Sequence, residues 1–140
     1  VRLKEALMDT MVASQRGRQN SAFLLIAVDN LALINDAFGF DVADEVIVSV
    51  GKRLSSLARR GDSLGRYAGN KFGLILRNCN EERLGGICER LLAQVRDKVV
   101  MTARGPVSVT VSAGSISLPG HASSVDQALA RAEEALVAAT

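Results

Sequence analysis

The chain has no tryptophan and one tyrosine in 140 residues, and aromatic side chains make up only 4% of it. Single-strand nucleic-acid binders stack bases on exposed rings, and that platform is missing here. Lysine and arginine number 17 against 15 acidic residues, scattered among one another, so the concentrated positive field of a general nucleic-acid binder is absent too. A single histidine and two cysteines, Cys79 and Cys88, spaced without a CxxC pattern, exclude a zinc set. Two buried or idle thiols suit a reducing compartment, and a cytoplasmic location is expected. His121, beside Pro119 and Gly120, reads as a loop residue, and no nucleophile elbow supports a Ser-His-Asp hydrolase.

Long apolar runs are also lacking. The longest, "AFLLIAV" at 22–28, falls far short of the roughly 20 residues that span a bilayer, and no signal-peptide pattern opens the chain. A soluble fragment is expected, and a longer parent chain remains free to be membrane-anchored elsewhere.

What is present is ample core material. Hydrophobic residues make up 48%, enough for one compact domain over residues 1–140. Leu3, Leu7 and Met11 fall at helical spacing within 2–16, and Gly17 offers a left-handed stop. "AFLLIAVD" reads as a strand buried on both faces that ends on Asp29. From 41 onward Ala43, Val46, Ile47, Val50, Leu54, Leu57 and Ala58 hold one helical face, with Asp41 as the expected N-cap and Gly61 past the end. "RYAGNKFGLIL" at 66–76 predicts a hairpin with Gly69 and Asn70 at its tip, and Asn80 caps a further helix carrying Leu84, Ile87, Cys88, Leu91, Leu92 and Val95. "PVSVTVSAGSISL" alternates Val107, Val109 and Val111 against Ser108, Thr110 and Ser112, which predicts a half-buried strand, with 99–102 pairing beside it. Ser124 and Gln127 form a capping box for a last helix through Val125, Leu129, Ala132 and Leu136.

The segment "LLIAVDNLALINDAFGFDVADEV", followed about 30 residues later by "RYAGNKF", resembles the GGDEF domain, the diguanylate cyclase fold. The resemblance runs from the first helix to "RAEEAL" and implies a ferredoxin-like, nucleotide-cyclase-like α/β (α+β) fold, with a central, mostly antiparallel sheet flanked by helices. It also implies a reaction that joins two GTP molecules into cyclic di-GMP with magnesium at the strand end and the hairpin. The family pattern D-x-D-x-F-K-x-x-N-D falls on "AVDNLALIND", so the first acid is Ala27 and only the second survives, as Asp29. The GGDEF signature falls on Ala68, Gly69, Asn70, Lys71 and Phe72. A methyl group and an amide cannot replace two carboxylates around a hard cation, so loss of the magnesium site and of catalysis is expected, with no cofactor and no catalytic residue. The family's lysine after the strand is Ala32, the histidine of its "GH" pair is Phe40, and its late lysine aligns with Thr140.

The resemblance also assigns guanine or GTP binding to Asn35 and Asp44, an amide and a carboxylate that suit a guanine edge. Local physics offers a second account, with Asn35 and Asp36 as turn formers and Asp44 a first-turn acid favoured by the helix dipole. Lys71 either faces a phosphate or extends from the turn into water. "RRGD" at 59–62 matches the family's R-x-x-D product-inhibition motif, which implies cyclic di-GMP binding by Arg59 and Asp62, with Arg90 as the second arginine. Equally, arginines at a helix C-terminus followed by a glycine stop and an aspartate turn need no ligand. The leading expectation is a catalytically inactive regulatory nucleotide-binding module in cyclic di-GMP signalling. GTP or cyclic di-GMP would be its ligand, no nucleic acid its partner, and a neighbouring signalling domain, often of the EAL phosphodiesterase type, or a second copy of the chain its protein contact. The rivals are an active cyclase with altered metal ligation through Asp29 and a structural or dimerisation module that binds no nucleotide.

Overall fold

The computed structural model describes residues 3–17, 20–59, 61–118 and 122–139. Arg2, Arg60, Pro119, Gly120, His121, which the sequence reads as a loop residue, and Thr140 lie outside the described residues. The elements in chain order are α1 (Leu3–Gly17), β1 (Ser21–Val28), α2 (Leu31–Phe38), α3 (Phe40–Leu57), β2 (Ser63–Ala68), β3 (Lys71–Leu76), α4 (Glu81–Arg96), β4 (Val100–Thr102), β5 (Gly105–Val107), β6 (Val111–Leu118) and α5 (Val125–Ala139). The main sheet runs β2-β3-β1-β6 with every neighbouring pair antiparallel, and β4 and β5 make a separate small hairpin.

β1 is buried along its whole length because it is central in the sheet and covered on both faces. Its side chains alternate: Ala22, Leu24, Ile26 and Val28 join the core under α2, α3 and α4, whereas Phe23, Leu25 and Ala27 join the core under α1 and α5. Full burial of each large side chain contributes about 1.5–3 kcal/mol, so this one strand anchors both layers. β6 approaches α5 so closely at Gly114 that an added Cβ would run into the backbone of Ala135 and Leu136. Only glycine permits that contact. Ser14 donates to Ser21 across 3.1 Å and ties α1 to the start of β1.

Four local expectations change. Asp41 lies inside the first turn of α3; the N-cap is Gly39, at φ 95°, and it makes no side-chain cap bond. That conformation favours glycine, and it creates a break after α2, a helix in which Asn35 and Asp36 are helical residues and not turn formers. At the other end α3 stops at Leu57, and Ala58 is extended. The alternating stretch from 106 to 118 divides in two, because residues 108–110 leave the β4–β5 hairpin before β6 enters the main sheet. Val107, Val109 and Val111 are all buried, so the burial alternation survives the break.

The other two predicted side-chain caps form. Asn80 accepts from Arg83 N at 2.8 Å, and Ser124 Oγ accepts from Gln127 N at 3.1 Å. The return bond of the capping box goes one residue earlier than expected, with Gln127 Oε1 accepting from Ser123 N. Cys79 is buried and Cys88 half-buried, both as free thiols, and burial pushes both above the ordinary thiol range. Neither has the character of a reactive cysteine.

Candidate functional site

The antiparallel ladder brings the flagged positions together. Lys71 and Ser112 stand opposite Ala27 on either side, and Val28 N donates to Asn70 O at 3.0 Å, so the hairpin tip docks on the end of β1. Asp29 N donates to Thr110 O at 3.0 Å, which closes the other side. Two clefts flank this point and share Asn70.

The first, about 630 Å³, opens toward α5 and is lined by Ala27, Asp29, Asn70, Lys71, Ser112 and Glu133, among others. Lys71 follows the parity of Ala27 and therefore lies on the α5 face of the sheet. There its ammonium pairs with Glu133, at 3.2 Å to Oε1 and 3.0 Å to Oε2. Neither reading of Lys71 from sequence describes this, since the ion pair crosses 62 residues to a helix. Asp29 is hydrogen-bonded through both oxygens: Thr110 Oγ1 donates to Oδ2 at 2.8 Å and Ser112 Oγ to Oδ1 at 2.7 Å. Among the described residues no group of three or more histidine, cysteine, aspartate or glutamate side chains is placed to hold a metal ion. Magnesium needs near-octahedral oxygen ligands. This cleft offers one hydroxyl-bound carboxylate, a second carboxylate held by an ammonium, and an amide.

The second cleft, about 600 Å³, lies on the opposite face, between α2, α3 and the hairpin. Leu31, Ala43 and Ile47 supply an apolar floor; Asn35, Asp44, Asn70 and Arg66 supply polar groups; Phe40 stands at the rim, 74% exposed. Helix α2 positions Asn35 and helix α3 positions Asp44, so the pair assigned to guanine does meet in one cleft. Neither side chain has a hydrogen-bond partner among the described residues, which leaves an amide and a carboxylate available. Arg66 is held in place by a bond from Nη2 to Gly69 O, and its guanidinium sits 5.9 Å over the Phe72 ring.

Arg59 and Asp62 also meet, but they meet each other. Asp62 Oδ2 accepts from Arg59 N at 2.8 Å and Arg59 Nε at 3.1 Å, while Oδ1 accepts from Arg59 Nη2 at 3.3 Å and Arg77 N at 3.2 Å. Arg59 Nη2 further donates to Arg77 O at 2.7 Å. The hydrogen bond with Asp62 holds the Arg59 pKa above its ordinary value. The fork thus clips the chain after α3 to the end of β3. Arg90 lies elsewhere, in an α3–α4 cleft of about 580 Å³ lined also by Arg53, Asp97 and Lys98 but not by Arg59 or Asp62. Arg53 is engaged there, donating to the carbonyls of Val95, Lys98 and Val99 at the end of α4.

Sequence reasoning missed Glu133, Thr110 and Ser112 as site residues. Two signals pointed to them: a lysine in an acidic motif calls for a compensating acid, and Thr110 and Ser112 share a polar face.

The family model for "Diguanylate cyclase, GGDEF domain" matches residues 1–140. Diguanylate cyclase A of Treponema denticola is 29% identical over 127 residues, covering 91% of this chain and 34% of its own length. Response regulator PleD of Caulobacter vibrioides is 34% identical over 113 residues, covering 79% of this chain and 25% of its own. The structure of diguanylate cyclase SiaD from Pseudomonas aeruginosa, solved with its activator SiaC, superposes with a TM-score of 0.91 at 31% identity, covering 98% of this chain and 52% of that one. The chain thus spans about a quarter to a third of these curated relatives. No helix among the described residues is long and apolar enough to cross a membrane.

Proposed function

Because the chain belongs to the GGDEF domain family of cyclic di-GMP signalling, we propose that it is a catalytically inactive member, a regulatory module that binds nucleotide without turning it over. The observation that carries this reading is the Lys71–Glu133 ion pair, which lines the cleft at the strand end where the family places its metal. With Asp29 held by two hydroxyls and Ala27 and Asn70 in place of acids, the donor set does not fit magnesium, and the magnesium site is lost. The open base cleft supports retained binding: Asn35 and Asp44 are unengaged and converge on an apolar floor, the chemistry that reads a guanine edge.

Cyclic di-GMP binding by Arg59, Asp62 and Arg90 is the second ligand proposed. It requires the Arg59 fork to exchange Asp62 for the ligand, so it is the weaker of the two sites. In a longer chain the module, folded as one domain over 1–140, would act on a neighbouring signalling domain, the EAL phosphodiesterase class being the one proposed.

Thermal unfolding with added nucleotide tests the reading. A ligand at 100 times its dissociation constant stabilises the native state by about 2.7 kcal/mol. Millimolar GTP is expected to raise the melting temperature by several degrees, and Asp44→Ala to remove that shift. For cyclic di-GMP the matching variant is Arg90→Ala, because Arg90 makes no side-chain hydrogen bond among the described residues. No shift with either nucleotide would leave a purely structural module.

A further inference from the structure

Resting on the reading of the α2–α3 cleft as a base site, we infer that its ligand class is the guanine nucleoside itself, stacked on Phe40 and bound without help from phosphates or a divalent cation. Three observations lead there. First, the base groups and the phosphate end have separated in character. The base cleft keeps a free amide, a free carboxylate and an apolar floor, and its one lining cation, Arg66, is bonded to Gly69 O and lies over Phe72.

Second, the adjoining cleft no longer attracts a polyphosphate. It contains Asp29, Glu133 and Lys71, two negative charges against one positive, and the single ammonium is spent on Glu133. A triphosphate leaving the base cleft past Asn70 meets this net negative cleft, solvent, or the Arg66 guanidinium already tied to Gly69 O. Each added phosphate therefore gains little, and in this adjoining cleft both carboxylates are already engaged, Asp29 by two hydroxyls and Glu133 by Lys71.

Third, Phe40 is out of place as a core residue. It opens α3 directly after Gly39, stays 74% exposed, and lines the base cleft with no aromatic neighbour in it. A ring held at the rim of a cleft with hydrogen-bonding groups below it can cover the face of a purine while Asn35 and Asp44 read its edge. Arg66, fixed over Phe72 and bonded to Gly69 O, closes the opposite wall.

Calorimetry on the 140-residue protein with guanosine, GMP and GTP, each with magnesium and with EDTA, and with adenosine as control, tests the inference. The expected result is that guanosine and GMP bind within about threefold of each other, GTP binds no tighter, magnesium changes none of them more than threefold, and adenosine binds at least tenfold more weakly. Phe40→Ala is expected to weaken guanosine at least tenfold. Glu133→Gln, which removes one negative charge and frees Lys71, is expected to raise the GTP-to-guanosine affinity ratio at least fivefold without changing guanosine binding. GTP binding tenfold or more above guanosine in magnesium overturns the inference and leaves the regulatory reading standing. An unchanged Phe40→Ala overturns the stacking assignment, and binding of none of the guanine compounds overturns the base site and the proposed function together.

Discussion

Incubated with GTP and magnesium or manganese, the purified protein is expected to produce no cyclic di-GMP above the no-enzyme background, at least about a thousandfold below an intact relative. The magnitude follows from phosphoryl-transfer chemistry, in which positioning and charge neutralisation do almost all the work and one charge clamp alone is worth roughly 10³ or more in rate. Here the loss is compound. Ala27 and Asn70 stand where the resemblance expects two acids, Asp29 is bound by Thr110 and Ser112, and Lys71 places a cation paired to Glu133 in the same cleft. For the same reason the double variant Ala27→Asp with Asn70→Asp is expected to stay inactive. The new carboxylate at 27 would face Lys71 across the ladder, where the nearest cation is already on the protein. Product formation by the unaltered chain, read by liquid chromatography, would show a working cyclase that ligates metal in another way.

Arg59→Ala is expected to lower stability by about 2–3 kcal/mol, and the melting temperature by roughly 5–10 °C. The Asp62 side chain is only 2% exposed, and the Arg59 guanidinium supplies two of its four donors as well as the bond to Arg77 O. Removing the partner of a nearly buried carboxylate costs several kcal/mol in full burial; the 36% exposure of Arg59 reduces that figure. Lysine at 59 keeps the charge without the two-pronged geometry and is expected to fall between the two. The sign of the pH dependence is fixed as well. A group whose folded pKa is raised gives stability that is complete below its unfolded value and lost only as pH climbs through the folded one. Both values for Arg59 lie far above neutrality, so the difference between Arg59→Ala and the parent should be flat from pH 5 to 9. Urea denaturation at several pH values measures it. A change under 0.5 kcal/mol would mean that the fork is free to serve a ligand.

The amphipathic faces, the buried first strand, the hairpin and the Asn80 cap were legible because each is written in local spacing. Helix α2 was not, since "DNLALINDAFG" carries turn-forming asparagines and aspartates whose local preference yields to packing of Ile34 and to the Gly39 break. The division of the 106–118 stretch was hidden for a related reason: the valine alternation continues through 108–110 although the hydrogen bonding does not. At the site, sequence register located Ala27, Asp29, Asn70 and Lys71 beside one another. Their partners were out of reach, because Glu133 lies 62 residues from Lys71 and Thr110 and Ser112 lie 81 and 83 from Asp29. Local reasoning also gave the R-x-x-D motif two equal meanings. Only the fold shows its two members bonded to each other.

The central claim is that the cleft at the strand end no longer takes a metal. A titration of the isotope-labelled protein with manganese in the presence of GTP, read as paramagnetic broadening of backbone amides, addresses it directly. The account predicts that the amides of Val28, Asp29, Asn70 and Lys71 broaden no more than those of remote surface residues. Selective loss of those four signals at micromolar manganese would contradict it.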